Sequence, residues 1–561
     1  MDESIISELS PKHNLILKWY KGEDLYSEGE VEDVITEMIA SNPPEEYVDA
    51  IFDNYAWSTY YHLTHVRQNI LNWYPFRTDA DLLEIGCGMG AITGMLCDRV
   101  HSVTAVELSK KRATAAWLRC REKENLEIIV GNLNDIEFEK KYDYITLIGV
   151  LEYQGNYTDT ENPYVDFLTK IRSLLKPDGR LFIAIENQYG LKYWCGARED
   201  HTGISFDGIN GYEKAKGVRT FSAHALDELV KRSGFNHTYF YYPMPDYKLP
   251  TVIYSQDKMP NNGNMQNMQV YYVPNDSTVI ANEKRVWNDV VDNGVFGFFA
   301  NSFLVECMIG EKKDEYGDER VTFATMSTAR LPQYRIGTRF IGSKRVEKFL
   351  PALSYGTGHI DTILHNENVL TDNGINVLRG NRYDAGISYE FIVDELLETK
   401  LLHYIRSDEI DESIMLLDKV YDDIIASSPH SPSADNLIFT FGLNVPNDES
   451  LYGTILRTAN LDMIFRNAFI SEEGLLWFDQ EWTLENMPAS FVMFRAIREF
   501  WYSYPDIGNH LDIEKVMHRY KVANVYKTYT NVEKLFVGAV MDAKHMAEAN
   551  GFAPRKNSFV Q

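Results

Sequence analysis

Three glycines at alternate positions, in the stretch LLEIGCGMGAIT at residues 82–93, constrain this chain more than any other feature. An apolar run ending in Glu84 and followed by Gly86-x-Gly88-x-Gly90 is a strand that turns sharply into a helix. Glycine enters the left-handed backbone region without penalty, and its missing side chain lets a ligand lie against the main chain at the helix N-terminus. The pattern therefore predicts an α/β sheet with a nucleotide-like ligand at the carboxyl end of a strand. It does not choose the nucleotide, because Ala91 also stands where the dinucleotide fingerprint needs a third small residue.

The surroundings of the turn extend the α/β reading. Short apolar runs (DLLEI, SVTAVEL, LEIIVG, YDYITLIGV, RLFIAIE) alternate with helical segments such as KKRATAAWLRCREK, as in a parallel sheet with crossover helices. The helix YVDFLTKIRSLL has Pro163 near its start, behind Asn162 as candidate cap, and stops at Lys176-Pro177-Asp178-Gly179. NHTYFYYP and LPTVIYS read as an antiparallel edge hairpin. Residues 1–75 read as a helical cap, with LILKWYKG, VEDVITEMIA and YYHLTHVRQNILNWY carrying apolar residues at spacings of three and four. QDKMPNNGNMQNMQ, residues 256–269, reads as a linker and places a boundary near residue 280. Beyond it come β-like runs (NSFLVECMIG, RVTFATMS, YRIGTRFIG, RVEKFL) and then mostly helix. The expected units are 1–75, 76–280 and 281–561.

Composition narrows the function classes. With 561 residues the chain exceeds one ordinary core. Its net charge of −27, without a basic run, disfavours nucleic-acid substrates. No stretch of about 18 uninterrupted apolar residues predicts a membrane span, and the N-terminus does not read as a signal peptide. The five cysteines, Cys87, Cys97, Cys120, Cys195 and Cys307, are scattered without metal-ligand spacing. Reduced thiols in a soluble cytoplasmic protein are the expectation.

Two carboxylates separate the nucleotide classes. Glu84, two residues before Gly86, suits a cationic amino group better than a pyrophosphate. Glu107 closes the strand VTAVELS, where a carboxylate takes ribose hydroxyls. The ordered set EIGCGMG, AVELS, GNLND, YDYITLIGVLEY and LLKPDGRLF resembles the class I S-adenosylmethionine-dependent methyltransferases over residues 75–255. The resemblance implies a Rossmann-like α/β domain, S-adenosylmethionine as cofactor, and a cofactor site made of Glu84, Gly86, Cys87, Gly88, Gly90, Glu107, Leu108, Asn132, Leu133 and Gly149. Asn132 stands where that family usually has an acid at the adenine, with Asp135 nearby.

Methyl transfer needs in-line placement of a nucleophile, and a base when the nucleophile is a hydroxyl. The acceptor is expected beyond the strands LIGVLEY and LFIAIEN. The second of these runs into ENQYGLKYWCGAREDHTGISFDGINGY, whose aromatics, carboxylates and amides suit a sugar ring. His201 and Glu186 are the candidate bases. The loop's Glu-Asn-x-x-Gly-Leu and Glu-Asp-His-x-Gly segments resemble methyltransferases of bacterial surface-polysaccharide clusters. That resemblance implies a glycan or glycan-precursor acceptor and a glycosyltransferase as candidate partner.

A second motif lies far downstream, in NLDMIFRNAFISEEGLLWFDQEW at residues 460–482. Asp462, Asn467 and Asp479 have the Asp-x-x-x-x-Asn…Asp spacing of the protein-kinase and aminoglycoside-phosphotransferase catalytic loop. RVEKF, with Lys348, is similar to the strand carrying the phosphate-binding lysine, and ISYEFIVDELL to the hinge before a helical lobe. The resemblance covers residues 295–500 and implies a two-lobed α+β kinase-like domain. In it Asp462 receives a hydroxyl proton, Asn467 and Asp479 hold Mg2+, and Lys348 contacts ATP. The departures are MSTARLPQYR in place of a glycine-rich loop, Asn460 in place of the usual histidine, and Glu367 as the nearest candidate for the helix glutamate. A methyltransferase followed by such a domain resembles the bifunctional enzymes that cap bacterial O-antigen chains. The alternative is a methyltransferase of a small molecule or protein whose second half, an inactive descendant of the kinase fold, is a binding scaffold.

Overall fold

The short apolar runs become strands of one sheet in the computed structural model, which describes residues 11–213, 217–261, 265, 279–310, 319–352, 355–384, 386–434 and 449–549. Strands β1 (Asn14–Trp19), β2 (Asp81–Ile85), β3 (Ser102–Glu107), β4 (Leu126–Gly131), β5 (Tyr142–Ile148) and β6 (Leu175–Glu186) lie in the order β1-β4-β3-β2-β5-β6, all parallel. Most residues of β2 to β5 are buried, as expected of strands with both faces covered. The helix Lys110–Arg119 begins where the Ser109 hydroxyl accepts from the Arg112 N–H. The helix Pro163–Leu174 opens on its proline, and Asn162 makes no side-chain cap bond. A register shift between Tyr142 and Tyr144 accommodates residues 176–179 within β6. β7 (His237–Met244) and β8 (Val252–Ser255) form the expected antiparallel hairpin.

Two segments differ from their sequence reading. LILKW is β1, a half-exposed edge strand parallel to β4. An edge strand with one solvated side needs few apolar residues, so spacings of three and four do not distinguish it from a helix. NSFLVECMIG supplies β9 (Ser302–Met308), which is inserted between β6 and β7 and antiparallel to both. The sheet that starts at β2 therefore continues past residue 280 to β9. Residues 302–307 are all buried, Ser302 and Glu306 included, as in a strand covered on both faces in the middle of a sheet. Half of the expected linker, at 262–264 and 266–269, lies outside the described residues.

The sheet then continues from β8 through β10 (Val321–Met326), β11 (Gly337–Ile341), β12 (Arg345–Phe349), β14 (Gly386–Glu390) and β13 (Asn381–Tyr383) in that spatial order, with every neighbour antiparallel. The helix Thr357–Asp372 connects β12 to β13. After β14 the chain builds a helical lobe around its own core, in which Trp477, Phe491, Met493 and Tyr529 are fully buried. Two short ribbons, Ile455–Asn460 with Thr483–Pro488 and Ala468–Ser471 with Gly474–Trp477, cross it. The last described helix, Ala543–Ala549, returns to the N-terminal helices and buries Glu548 beside Thr64 and His65. No helix among the described residues is long and apolar enough to cross a membrane.

Candidate active site

The glycine turn is laced to its neighbour strand by the N–H groups of Gly86 and Cys87, which donate to the Val106 carbonyl at 2.8 and 3.2 Å. Gly86, Gly88 and Gly90 have φ of +76°, +54° and +76°, all in the left-handed region. A Cβ on Gly86 would lie 2.4 Å from Val150 Cγ2, and one on Gly90 would lie 3.0 Å from the Ala116 backbone. Gly90 thus lets the helix Lys110–Arg119 pack closely. Gly88 has no atom within 4 Å on its Cβ side and faces open space.

That space is a cavity of about 440 Å³. Of the expected cofactor residues, Gly86, Gly88, Glu107, Leu108, Asn132, Leu133 and Gly149 line it. Glu107 accepts the Gly88 N–H at 2.8 Å on one oxygen and the Ser109 N–H at 3.0 Å on the other, which aims its remaining lone pairs at the cavity. The Asn132 side chain accepts from the Asn134 N–H and donates to the Tyr157 carbonyl. Glu84, Cys87 and Gly90 do not reach the cavity wall and stand behind the turn. Burial pushes Glu84 up to about 7, and its Oε2 has no hydrogen-bond partner. Cys87 packs in the core with its thiol raised by burial. A buried carboxylate behind the turn, one of its oxygens without a partner, and a second carboxylate on the wall fit a cofactor that carries a cationic group and a ribose.

The other end of the cavity carries both candidate bases. Glu186 ends β6, and His201 comes from the loop that follows. His201 Nδ1 lies 3.0 Å from Glu199 Oε1, and its Nε2 lies 3.6 Å from Glu152 Oε1 and 3.7 Å from Glu186 Oε2. Lys248 Nζ reaches Glu186 Oε1 at 2.5 Å and Asp200 Oδ1 at 2.9 Å, while Lys192 Nζ reaches Asp200 Oδ2 at 2.7 Å. Burial alone would lower the imidazole, but Glu186, Glu152 and Glu199 hold His201 well above the usual range. Burial would likewise raise Glu186, yet Lys248 and His201 bring it below the usual carboxylate range. Glu152 Oε2 and Glu186 Oε2 are buried without hydrogen-bond partners. Trp57, Tyr61 and Tyr153 complete the wall.

Glu152, Glu199 and Lys248 were not among the expected site residues. Glu152 and Glu199 sit inside the quoted segments GVLEY and AREDH. Lys248 has no local signal, since only the fold brings it to Glu186.

The second set also converges, where the β10–β14 layer meets the helical lobe. Lys348, on β12, is paired with Asp479 and, at 2.8 Å, with Glu481. Asp462 Oδ2 accepts the N–H groups of Glu481 and Trp482 at 2.9 Å each, and Asn467 Nδ2 donates to the Asp462 carbonyl at 3.0 Å. Asp479 holds φ +60°. Burial pushes Asp462 up to about 7. Glu367 accepts from Tyr389 Oη and the Gly380 N–H instead of pairing with Lys348. Glu481, which was not anticipated, takes the partner position, and it also holds Arg330 at 2.5 Å and His359 at 3.2 Å.

Residues 58–239 match the family described as a methyltransferase domain. Over 124 residues the chain is 27% identical to malonyl-[acyl-carrier protein] O-methyltransferase of Priestia megaterium, covering 22% of this chain and 42% of that protein. Over 134 residues it is 27% identical to ubiquinone biosynthesis O-methyltransferase of Pelagibacter ubique, covering 22% of this chain and 52% of that protein. The chain spans about half the length of the curated relatives it matches. Among solved structures, the complex between the Haloferax volcanii Trm112 methyltransferase activator and a putative methyltransferase aligns at 15% identity and TM-score 0.30, covering 48% of this chain and 95% of that one. The chain carries a class I S-adenosylmethionine-dependent methyltransferase domain with a Rossmann-like fold.

Proposed function

We propose that the chain methylates a hydroxyl of a glycan or glycan precursor with S-adenosylmethionine as donor. The observation that carries this reading is one continuous cavity, with the glycine turn and Glu107 at one end and aromatic, carboxylate and imidazole groups at the other. S-adenosylmethionine supplies an electrophilic methyl group on a sulfonium. Glu107 binds the ribose hydroxyls, Asn132 and Leu133 flank the adenine, and Glu84 lends negative charge beneath the cationic end. Trp57, Tyr61 and Tyr153 offer faces for a sugar ring. Glu152 and Glu186 each have an unpartnered Oε2, but Lys248 holds Glu186 Oε1 and brings that carboxyl below its usual range, whereas burial raises Glu152, so Glu152 is the proton acceptor. His201 and Glu186, the bases expected from sequence, then orient and balance charge. With S-adenosylmethionine bound, its sulfonium methyl group would be the electrophile, and Glu152 would take the proton of the attacking hydroxyl. Orientation of the acceptor supplies the larger part of such a rate enhancement.

Calorimetry with S-adenosylmethionine, followed by methyl transfer to a panel of nucleotide sugars, reducing-end oligosaccharides, phenols and proteins, tests the reading. Binding in the wild type with loss in Glu107→Ala, and transfer confined to the sugar acceptors, is the expected result. Transfer only to a phenol or protein supports the alternative of a different acceptor with the second half as a scaffold.

We further infer a Mg2+-ATP-dependent phosphotransfer site in the second half, on the convergence of Lys348, Asp462, Asn467 and Asp479 from separate segments of the chain. The strand order β10-β11-β12-β14-β13, with a helix between β12 and β13, supports a kinase-like lobe. Asn467 and Asp479 are the residues to hold Mg2+ and Lys348 the one to meet phosphate. ATP binding that Lys348→Ala abolishes is the expected outcome, and no binding in the wild type leaves the scaffold reading.

A further inference from the structure

We infer that the acceptor end of the methyltransferase cavity is a divalent-cation site, with Glu152, Glu186 and Nε2 of His201 as its ligands. The inference deepens the methyltransferase reading and rests on it for the cation's role, which is to seat the acceptor oxygen with Glu152 Oε1 on the cation and Glu152 Oε2 left to take the hydroxyl proton. Each of the three side chains offers a donor atom within 4.8 Å of the other two. His201 Nε2 lies 3.6 and 3.7 Å from the two carboxylates, where neighbouring ligands of a first-row dication lie roughly 3–4 Å apart.

Two independent observations point to a missing partner. First, Glu152 Oε2 and Glu186 Oε2 are buried with no hydrogen-bond partner, in side chains that are 1% and 0% exposed. Buried polar atoms are seldom left without a partner. Secondly, Glu199 is 3.0 Å from Nδ1 of His201 and is itself anchored by the N–H groups of His201 and Thr202 at 2.7 Å each. A carboxylate on the far ring nitrogen orients a metal-ligating histidine and raises its basicity. Charge agrees: among the described residues, the ion pairs of Glu152, Glu186, Glu199, Asp200 and Asp246 are with Lys192, Lys248 and the imidazole. One imidazole with two carboxylates suits Zn2+ or Mn2+.

Chelator-stripped full-length protein titrated with Mn2+, followed by loss of the free-ion paramagnetic signal, tests this. The expected result is one bound Mn2+ that Zn2+ displaces and that survives Asp479→Asn, which disables the other candidate cation pair. Glu152→Gln and His201→Ala should weaken it at least tenfold. The spin-echo spectrum of Mn2+ bound to the wild type should carry imidazole nitrogen modulation, a readout that requires no variant to fold. Absence of that modulation, or binding abolished by Asp479→Asn alone, overturns the inference. Calorimetry with S-adenosylmethionine on the same samples separates the two readings. Cofactor binding without Mn2+ binding sinks only the cation site, and Mn2+ binding without cofactor binding sinks only the methyltransferase reading.

Discussion

Glu548 Oε1 accepts a hydrogen bond from Thr64 Oγ1 at 2.9 Å, joining the end of the described chain to the N-terminal helices. The same oxygen accepts the His65 N–H at 2.9 Å, and Arg335 NH2 lies 3.6 Å from Oε2. Burial alone would raise this carboxyl, but His65 and Arg335 bring it down to about 2. A folded-state value below the unfolded one adds stability above the unfolded pKa and loses it as pH falls toward the folded one. The difference from the ordinary 4.5 corresponds to on the order of 3 kcal/mol. The thermal midpoint of Glu548→Gln should therefore lie well below that of the wild type at pH 7, and the gap should close between about pH 4.5 and 2.

Glu84 makes the opposite case. Its folded value of about 7 lies above the ordinary 4.5, so stability is given up as pH rises through that window. Free Glu84→Gln should melt higher than the wild type at pH 8, by the equivalent of about 2–3 kcal/mol, and match it near pH 4. The same variant should bind S-adenosylmethionine more weakly at pH 8. A variant both less stable and equally tight in binding contradicts the role given to Glu84.

Gly88→Ala should separate backbone strain from ligand contact. The left-handed φ costs about 1–2 kcal/mol for any L-residue. No protein atom lies within 4 Å of the added methyl, which projects into the cavity. Calorimetry should show at least a tenfold loss of S-adenosylmethionine affinity beside a modest fall in melting temperature. Gly90→Ala, which meets the Ala116 backbone instead, should cost more in stability and act on binding only through it.

In the second cluster, removing Lys348 leaves Asp479 and Glu481 without their buried ammonium. Breaking one side of a buried pair costs about 3–5 kcal/mol. Arg330 and His359 still hold Glu481, so Lys348→Met should fall at the low end of that range. Adding Glu481→Gln should recover part of the loss. A double-mutant cycle by denaturant unfolding, monitored by Trp477 and Trp482 fluorescence, measures the coupling. Additive losses contradict a direct pair.

The parallel core and the glycine turn were legible because their signals are local. Glycine at 86, 88 and 90 answers a backbone requirement, and Glu107 is read directly at the end of the apolar run that becomes β3. The acceptor end was half legible. His201 and Glu186 stood out by residue type, but the carboxylate that frames the imidazole and the lysine that neutralises Glu186 become neighbours only through the fold. Glu481 escaped because the kinase pattern directs attention to a helix glutamate, and Glu367 is committed to Tyr389. The strand β9 is legible in NSFLVECMIG, but its place between β6 and β7 is not, because a strand's own sequence does not name its partners.

That insertion sets the order in which the protein is able to form during synthesis. The strands from β2 to β8 emerge first, yet β6 and β7 have no partner between them until residue 308 has been translated. The N-terminal helices wait longer, for Glu548. A nascent chain stalled between residues 260 and 300 would expose the open edges of β6 and β7, a template for wrong pairing. The half that is made first is thus completed by the half that is made last, and chaperone demand should peak in that interval of translation.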